Sequence, residues 1–300
     1  MKRKFTKDGV LNIYQRSISG FNIFYRFEDF LSFYTIVSVQ SKRIGVELLG
    51  MCMMIDHVHL LLKAENLQMM SRFISAYTSI YVREFNSTIG RRGKLFESTY
   101  GSAVKTEAKR VRSAIAYLFN NPVEKMLCRV AKDYRWNFLR YCKPGIIMSV
   151  KRFSRRLRRS MKIVDSTFRC GQHLNQTLIR TLMLNLDEEE KNILTDYIIT
   201  TYLSFNTQEL VSYYKSYEEM ITAINSNTGS EYDIPEKHYC KTDAPYREII
   251  RYLNDAGIKD VRSLIVMPEK IKRQYLIQLK SSTSASYTQI RKFLHIAEST

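Results

Sequence analysis

His57-Val58-His59 sits inside the apolar run Ile55-Asp56-His57-Val58-His59-Leu60-Leu61-Leu62. Side chains alternate faces along a β-strand, so the two imidazoles point the same way while Val58 and Leu60 point into a core. Paired imidazoles can ligate a metal ion, and the same pattern also suits two surface histidines that hold nothing. Downstream stands Tyr117-Leu118-Phe119-Asn120-Asn121-Pro122. Residues 108–121 read as a helix ended near Pro122, because a proline disfavours helical geometry in the residue before it. Tyr117 and Asn121, at i and i+4, then share one helical face.

The elements that must position these residues can be read from periodicity. A strand is expected over 10–16 and a helix over 27–42, with Phe30, Phe33, Tyr34 and Val37 on one side. Two apolar strands, 45–54 and 56–63, are separated by almost nothing and predict a tight hairpin. Residues 69–85 are amphipathic at helical spacing, 100–105 form a short strand, and 108–121 is an appended helix. This β-α-β-β-α-β order predicts an α+β chain with a ferredoxin-like split βαβ domain, an antiparallel sheet with helices on one face.

In these residues and their order the chain resembles the single-tyrosine HUH transposases that act on single-stranded DNA, in particular the REP-associated branch. The resemblance covers roughly residues 9–141. Besides the histidine strand it rests on Tyr81-Val82-Arg83-Glu84-Phe85-Asn86, on Gly93-Lys94-Leu95-Phe96-Glu97, on a Tyr-x-x-x-Asn-Pro-Val signature at residues 117–123, and on Asp133-Tyr134-Arg135-Trp136. Where the family usually has Met-Pro-Asn before the histidines, this chain has Met54-Ile55-Asp56. The resemblance implies that Tyr117 is the nucleophile, that cleavage leaves a 5′-phosphotyrosine link and a free 3′ hydroxyl, and that the protein is a homodimer whose tyrosine helix can complete the partner's site.

The chemistry is coherent with that assignment. A phosphodiester repels nucleophiles through its anionic oxygens, so a site that cuts it must neutralise charge and position the attacking group. His57 and His59 would supply neutral nitrogens and Asn121 a hard amide oxygen, a ligand set that suits Mg²⁺ or Mn²⁺ acting as a Lewis acid. A free phenol has a pKa of about 10 and needs such help at neutral pH. The covalent link conserves phosphodiester energy, so strands can be cut and rejoined without ATP. Tyr77, Tyr81, Tyr134 and Trp136 are read instead as core or base-stacking residues.

A basic excess suits a nucleic acid, an anionic membrane or simply a soluble surface, and nucleic acid is the favoured reading. Of 47 Lys and Arg against 29 Asp and Glu in 300 residues, residues 1–162 hold 31 against 11 and residues 163–300 hold 16 against 18, so the basic excess lies in the first half. No apolar run is long enough for a membrane span, and no apolar segment follows Met1-Lys2-Arg3-Lys4-Phe5, so a secretory signal and a membrane partner are not expected. Five scattered cysteines without a Cys-x-x-Cys pair fit a reducing cytoplasm, with the protein on nucleoid DNA.

The expected organisation is a catalytic domain at 1–142, a basic linker or arm at 143–162, and a helical domain at 163–300. The arm would grip the DNA backbone through Lys151, Arg152, Arg155, Arg156, Arg158 and Arg159. A helix pair at 268–296 has a helix-turn-helix outline whose second helix is expected to expose Gln289, Arg291 and Lys292, although a generic helical hairpin fits the same pattern. The function predicted is metal-assisted cleavage and strand transfer of single-stranded DNA at hairpin or repeat ends. The rivals are a domesticated, non-catalytic repeat-binding protein and an HUH nickase of replication or mobilisation; RNA binding is weaker, for want of an aromatic base-stacking stretch.

Overall fold

The computed structural model describes residues 5–143, 153–226 and 242–297. Four strands, β1 (Val10–Arg16), β2 (Glu47–Met53), β3 (His57–Lys63) and β4 (Gly101–Lys105), form an antiparallel sheet in the order β2-β3-β1-β4. Helix α1 (Phe27–Ile44) carries the chain from β1 past β3 to β2, and α2 (Leu67–Ile89) carries it from β3 past β1 to β4. That is the split βαβ arrangement, and the α+β class holds.

The two crossover helices cover one face of the sheet. On α2 the buried residues Met70, Phe73, Ile74, Tyr77, Tyr81 and Phe85 recur at helical spacing. The Tyr77 hydroxyl donates to Gln15 Oε1, and Gln15 lies opposite Val58 in the strand register, so this is the Val58 face. Asn66 caps the start of α2 through Met69 N, and Gly90 ends it in left-handed geometry.

The appended helix α3 (Ala108–Glu124) lies on the other face, where the histidines point. It approaches β2 so closely that a Cβ on Gly50 would stand 3.0 Å from Phe119 Cζ. A bulge between Leu48 and Gly50 sets the register so that Cys52 lies opposite His59. α3 runs through Pro122 rather than stopping before it. In the last turn a proline forfeits one backbone bond, and Lys125 N to Asn121 O and Leu127 N to Pro122 O close the helix beyond it.

The rest of the described chain is helical: α4 (Arg155–Arg169), α5 (Gln176–Met183), α6 (Glu188–Thr201), α7 (Thr207–Ser212), α8 (Tyr217–Asn225), α9 (Ala244–Asp255), a 3-10 segment at Val261–Val266, α10 (Glu269–Ser282) and α11 (Tyr287–Leu294). Residues 155–162, expected to be linker, are the first turns of α4. Leu157, Ser160 and Met161 are buried there, and Ser154 caps the helix through Leu157 N. Gly257 follows α9 in left-handed geometry, with a φ of 83°.

The helical part is not detached from the sheet, because one buried core runs through both. The Tyr34 hydroxyl donates to Ile199 O and Asn206 N donates to Leu48 O. Arg262 is also buried, 1% exposed, and its guanidinium bonds Asp29 Oδ1 at 2.9 Å, Gln176 Oε1 and Asp260. Asp29 also accepts from Tyr25 N and Arg26 N, capping α1. Among the described residues no helix is long and apolar enough to cross a membrane.

Candidate active site

β3 sets His57 and His59 side by side, ring centroids 5.1 Å apart, and Tyr14 of β1 packs on both. From α3 the Tyr117 ring meets His59 edge-on at 5.5 Å, and one turn later Asn121 Nδ2 lies 3.4 Å from His59 Nε2. The four residues singled out in the sequence therefore converge, and they do so within a single chain. His57 is the most accessible at 7%, so the four side chains are enclosed by their neighbours.

A residue whose role the sequence reading missed completes the arrangement. Asp56 Oδ1 stands 2.6 Å from His57 Nδ1, which fixes the Nδ1–H tautomer and leaves the Nε2 lone pair facing away from it. Burial alone would raise the Asp56 carboxyl; the His57 ring that hydrogen-bonds it, then Lys292 and Arg16, hold it down to about 2. Its place directly before the first histidine was the available signal. The turn it occupies, Met54-Ile55-Asp56, has no proline and is held by backbone bonds to residues 17–24: Ser17 N to Asp56 O, and Ile23 N and Phe24 N to Ile55 O.

The donor set accommodates a divalent ion. His57 Nε2 and Asn121 Oδ1 are fully buried and have no hydrogen-bond partner among the described residues, a state that buried polar atoms rarely keep. Among the described residues no group of three or more His, Cys, Asp and Glu is arranged to hold a metal, and an ion held by the two histidines would need the Asn121 amide as a third donor. The Asn121 nitrogen, not its oxygen, faces His59, and a half-turn of the amide exchanges them for the loss of that one long contact.

The expected DNA-contact residues divide. Arg155, Arg156, Arg158 and Arg159 are exposed on α4, opposite its buried Leu157, Met161 and Val164. Lys151 and Arg152 lie outside the described residues. On α11 the expectation of an exposed reading face is corrected at two positions. Gln289 is buried, closing a capping box with Ser286 and donating to Thr242 O, and Lys292 is turned inward beside Asp56. The cause is docking of α11 on residues 21–25: Asn22 N donates to Lys292 O, the Tyr25 hydroxyl to Phe293 O, and His295 stacks on Phe21. Arg291 remains partly accessible. Tyr77, Tyr81 and Tyr134 are buried, the last donating to Met53 O, and Trp136 stacks on Phe30, so these four are packing residues.

Residues 26–121 match a family model described as "Transposase IS200 like". No curated protein is similar to this chain in sequence. Among solved structures, one described as a REP-associated tyrosine transposase bound to a REP hairpin is similar at 13% identity with a TM-score of 0.39, over 51% of this chain and 94% of that one.

Proposed function

We propose, from the match of residues 26–121 to an IS200-like transposase model, that the protein cleaves and transfers single-stranded DNA at hairpin or repeat ends, with Tyr117 as nucleophile. The observation that carries this reading is the meeting of Tyr117, His59 and Asn121 in one chain beside a His57 whose buried Nε2 has no hydrogen-bond partner among the described residues. His57, His59 and Asn121 would hold Mg²⁺ or Mn²⁺, which when bound supplies Lewis-acid neutralisation of the phosphate oxygens. Asp56 keeps the His57 nitrogen correctly turned. The Tyr117 oxygen gives up its proton and attacks phosphorus, the bond to the 3′ oxygen breaks, and that oxygen takes up a proton as it leaves. The product is a 5′-phosphotyrosine and a free 3′ hydroxyl, and the reverse reaction with another 3′ end completes transfer. Two copies are proposed to act together, each with its own histidines and tyrosine.

His57→Ala and His59→Ala each leave one imidazole and an amide, too few donors for a hard cation. Either variant is expected to lose cleavage of labelled single-stranded hairpin DNA in Mn²⁺ while retaining DNA binding in a gel-shift assay. Full cleavage by either variant in excess chelator would remove the metal from the reading.

The exposed arginines of α4 are proposed to contact the phosphate backbone as a rigid helical face. Replacing Arg155, Arg156, Arg158 and Arg159 together by Ala should flatten the slope of log K against log salt by up to about 3, at ~0.7 per single-strand phosphate contact. An unchanged slope would place the DNA elsewhere. Arg291 is retained as the candidate base reader of α11.

A domesticated repeat-binding protein is the second reading, favoured by the closed state of the site. Tight binding without cleavage across metals and hairpin substrates would select it.

A further inference from the structure

Lys292 is a lysine turned away from solvent, and its position has a consequence for the histidine strand. Its Nζ lies 3.6 Å from Asp56 Oδ2, while Asp56 Oδ1 holds His57 Nδ1. The two carboxylate oxygens thus join a residue near the end of the chain to the first candidate metal ligand. The path to the carboxylate is kept open by Gly20. A Cβ there would stand 2.5 Å from an Arg16 guanidinium nitrogen and 3.2 Å from both Lys292 Cε and Nζ, and its φ of 64° disfavours any side chain.

The backbone carrying both partners is fastened at the same place. Ile23 N and Phe24 N hold Ile55 O, Ser17 N holds Asp56 O, and the same loop takes α11 through Asn22 N to Lys292 O and the Tyr25 hydroxyl to Phe293 O. His295 Nε2 lies 2.8 Å from Asn22 O. Burial pushes this imidazole's pKa down to about 3, so it stays neutral and donates Nε2–H to that carbonyl. Asp243, at the start of α9, and Lys125, after α3, are the other charged groups that act on this neighbourhood.

We infer that Lys292, delivered by α11, is a positioning residue for the candidate metal site: it holds the Asp56 carboxylate in the orientation that fixes the His57 ring. The helical part of the chain is then a component of the catalytic centre as well as a neighbour of it. A carboxylate behind a metal-binding histidine is a second layer whose loss typically costs 10–100-fold in metal affinity, and Lys292 stands behind that carboxylate. This inference rests on the proposed metal-dependent reading for its effect on metal binding, and on geometry alone for its effect on His57.

The test uses the full chain and two readouts. Long-range ¹⁵N–¹H spectra of the histidine rings, recorded without metal, report the His57 tautomer, and calorimetric titration with Mn²⁺ reports affinity. The parent is expected to show a single Nδ1–H tautomer at His57. Lys292→Met should give a mixed tautomer and bind Mn²⁺ about 10-fold more weakly, and Lys292→Arg should stay within about twofold of the parent. Asp56→Asn should disturb His57 in the same way, and adding Lys292→Met to it should change nothing further, since both act through one contact. A His57 spectrum unchanged in Lys292→Met, or additive effects in the double variant, would overturn the inference. Should Lys292→Met fail to fold, an undisturbed His57 in Asp56→Asn would overturn it equally. A disturbed His57 in a protein that never binds Mn²⁺ would uphold the positioning role and remove the metal.

Discussion

Tyr117→Phe should fold, bind hairpin DNA with unchanged affinity, and form neither a covalent adduct nor a nicked product. One oxygen is removed, while the ring that packs edge-on against His59 stays in place, so the loss belongs to chemistry and not to packing. Removing a nucleophile eliminates its pathway, and cleavage is expected to fall by at least about 10³-fold, into assay background. The measurement is denaturing electrophoresis of protein incubated with end-labelled single-stranded DNA and Mn²⁺, followed by peptide mapping of any adduct. An adduct on another tyrosine, such as Tyr100 or Tyr134, would take the Asn121 ligand down with it, because both residues were chosen from one face of α3. Cleavage by the parent with no adduct would point to a water-activating metallonuclease instead.

The largest stability effect is expected at Arg262. Its guanidinium and the Asp29 carboxylate are each 1% exposed in their side chains and 2.9 Å apart, joining the 3-10 segment before α10 to the first turn of α1. Arg262→Met keeps most of the volume and removes the charge, leaving Asp29 buried with two backbone donors and the Gln176 amide. Breaking one side of such a pair costs about 3–5 kcal/mol. The loss should depend on pH in a defined direction. Burial already raises the Asp29 carboxyl, opposed chiefly by Arg262, and without Arg262 it rises further above the unfolded value of about 3.9. The folded variant therefore holds a proton that its unfolded chain releases. Its deficit against the parent should be greatest near pH 7–8 and shrink as pH falls through the folded pKa. Denaturant unfolding at a series of pH values measures this. A deficit below about 1 kcal/mol and flat in pH would mean that the cluster is packing with no electrostatic role.

Asp29 and Arg262 also mark where reading the sequence stops. The sheet elements announced themselves because each is a short-range pattern: a short apolar run at residues 57–63, period 3.6 along α2, turn residues between them. The candidate site was legible for the same reason, since His57 with His59 and Tyr117 with Asn121 are each related within one element. Arg262 and Asp29 are separated by 233 positions, and nothing local distinguishes Arg262 from the many other arginines of a basic chain. The helix at residues 155–169 was hidden by composition: seven basic residues over 151–162 look like a solvated linker, while the apolar spacing of Leu157, Met161 and Val164 is sparse. Gln289 and Lys292 were misplaced because a polar side chain on an amphipathic helix is expected to face water. The acceptors that turn them inward, Thr242 O and the Asp56 carboxylate, belong to other elements. Pro122 was read as a stop by a rule of local sterics, and the helix outlasts it by two residues because the cost near a terminus is a single bond.

The fastening of α11 to residues 21–25 also bears on the order in which the protein is made. The Tyr25 hydroxyl and Phe293 O are 268 positions apart, among the longest separations a chain of this length permits. β1, made first, must wait for β3 and β4 before either of its edges is paired. Contacts of such range form late and slowly, after the local helices and the β2–β3 hairpin. A nascent chain still short of residue 287 therefore has its histidines and its tyrosine but not the lysine that steadies Asp56. On the proposed reading, a chain truncated before α11 should therefore be an inefficient catalyst.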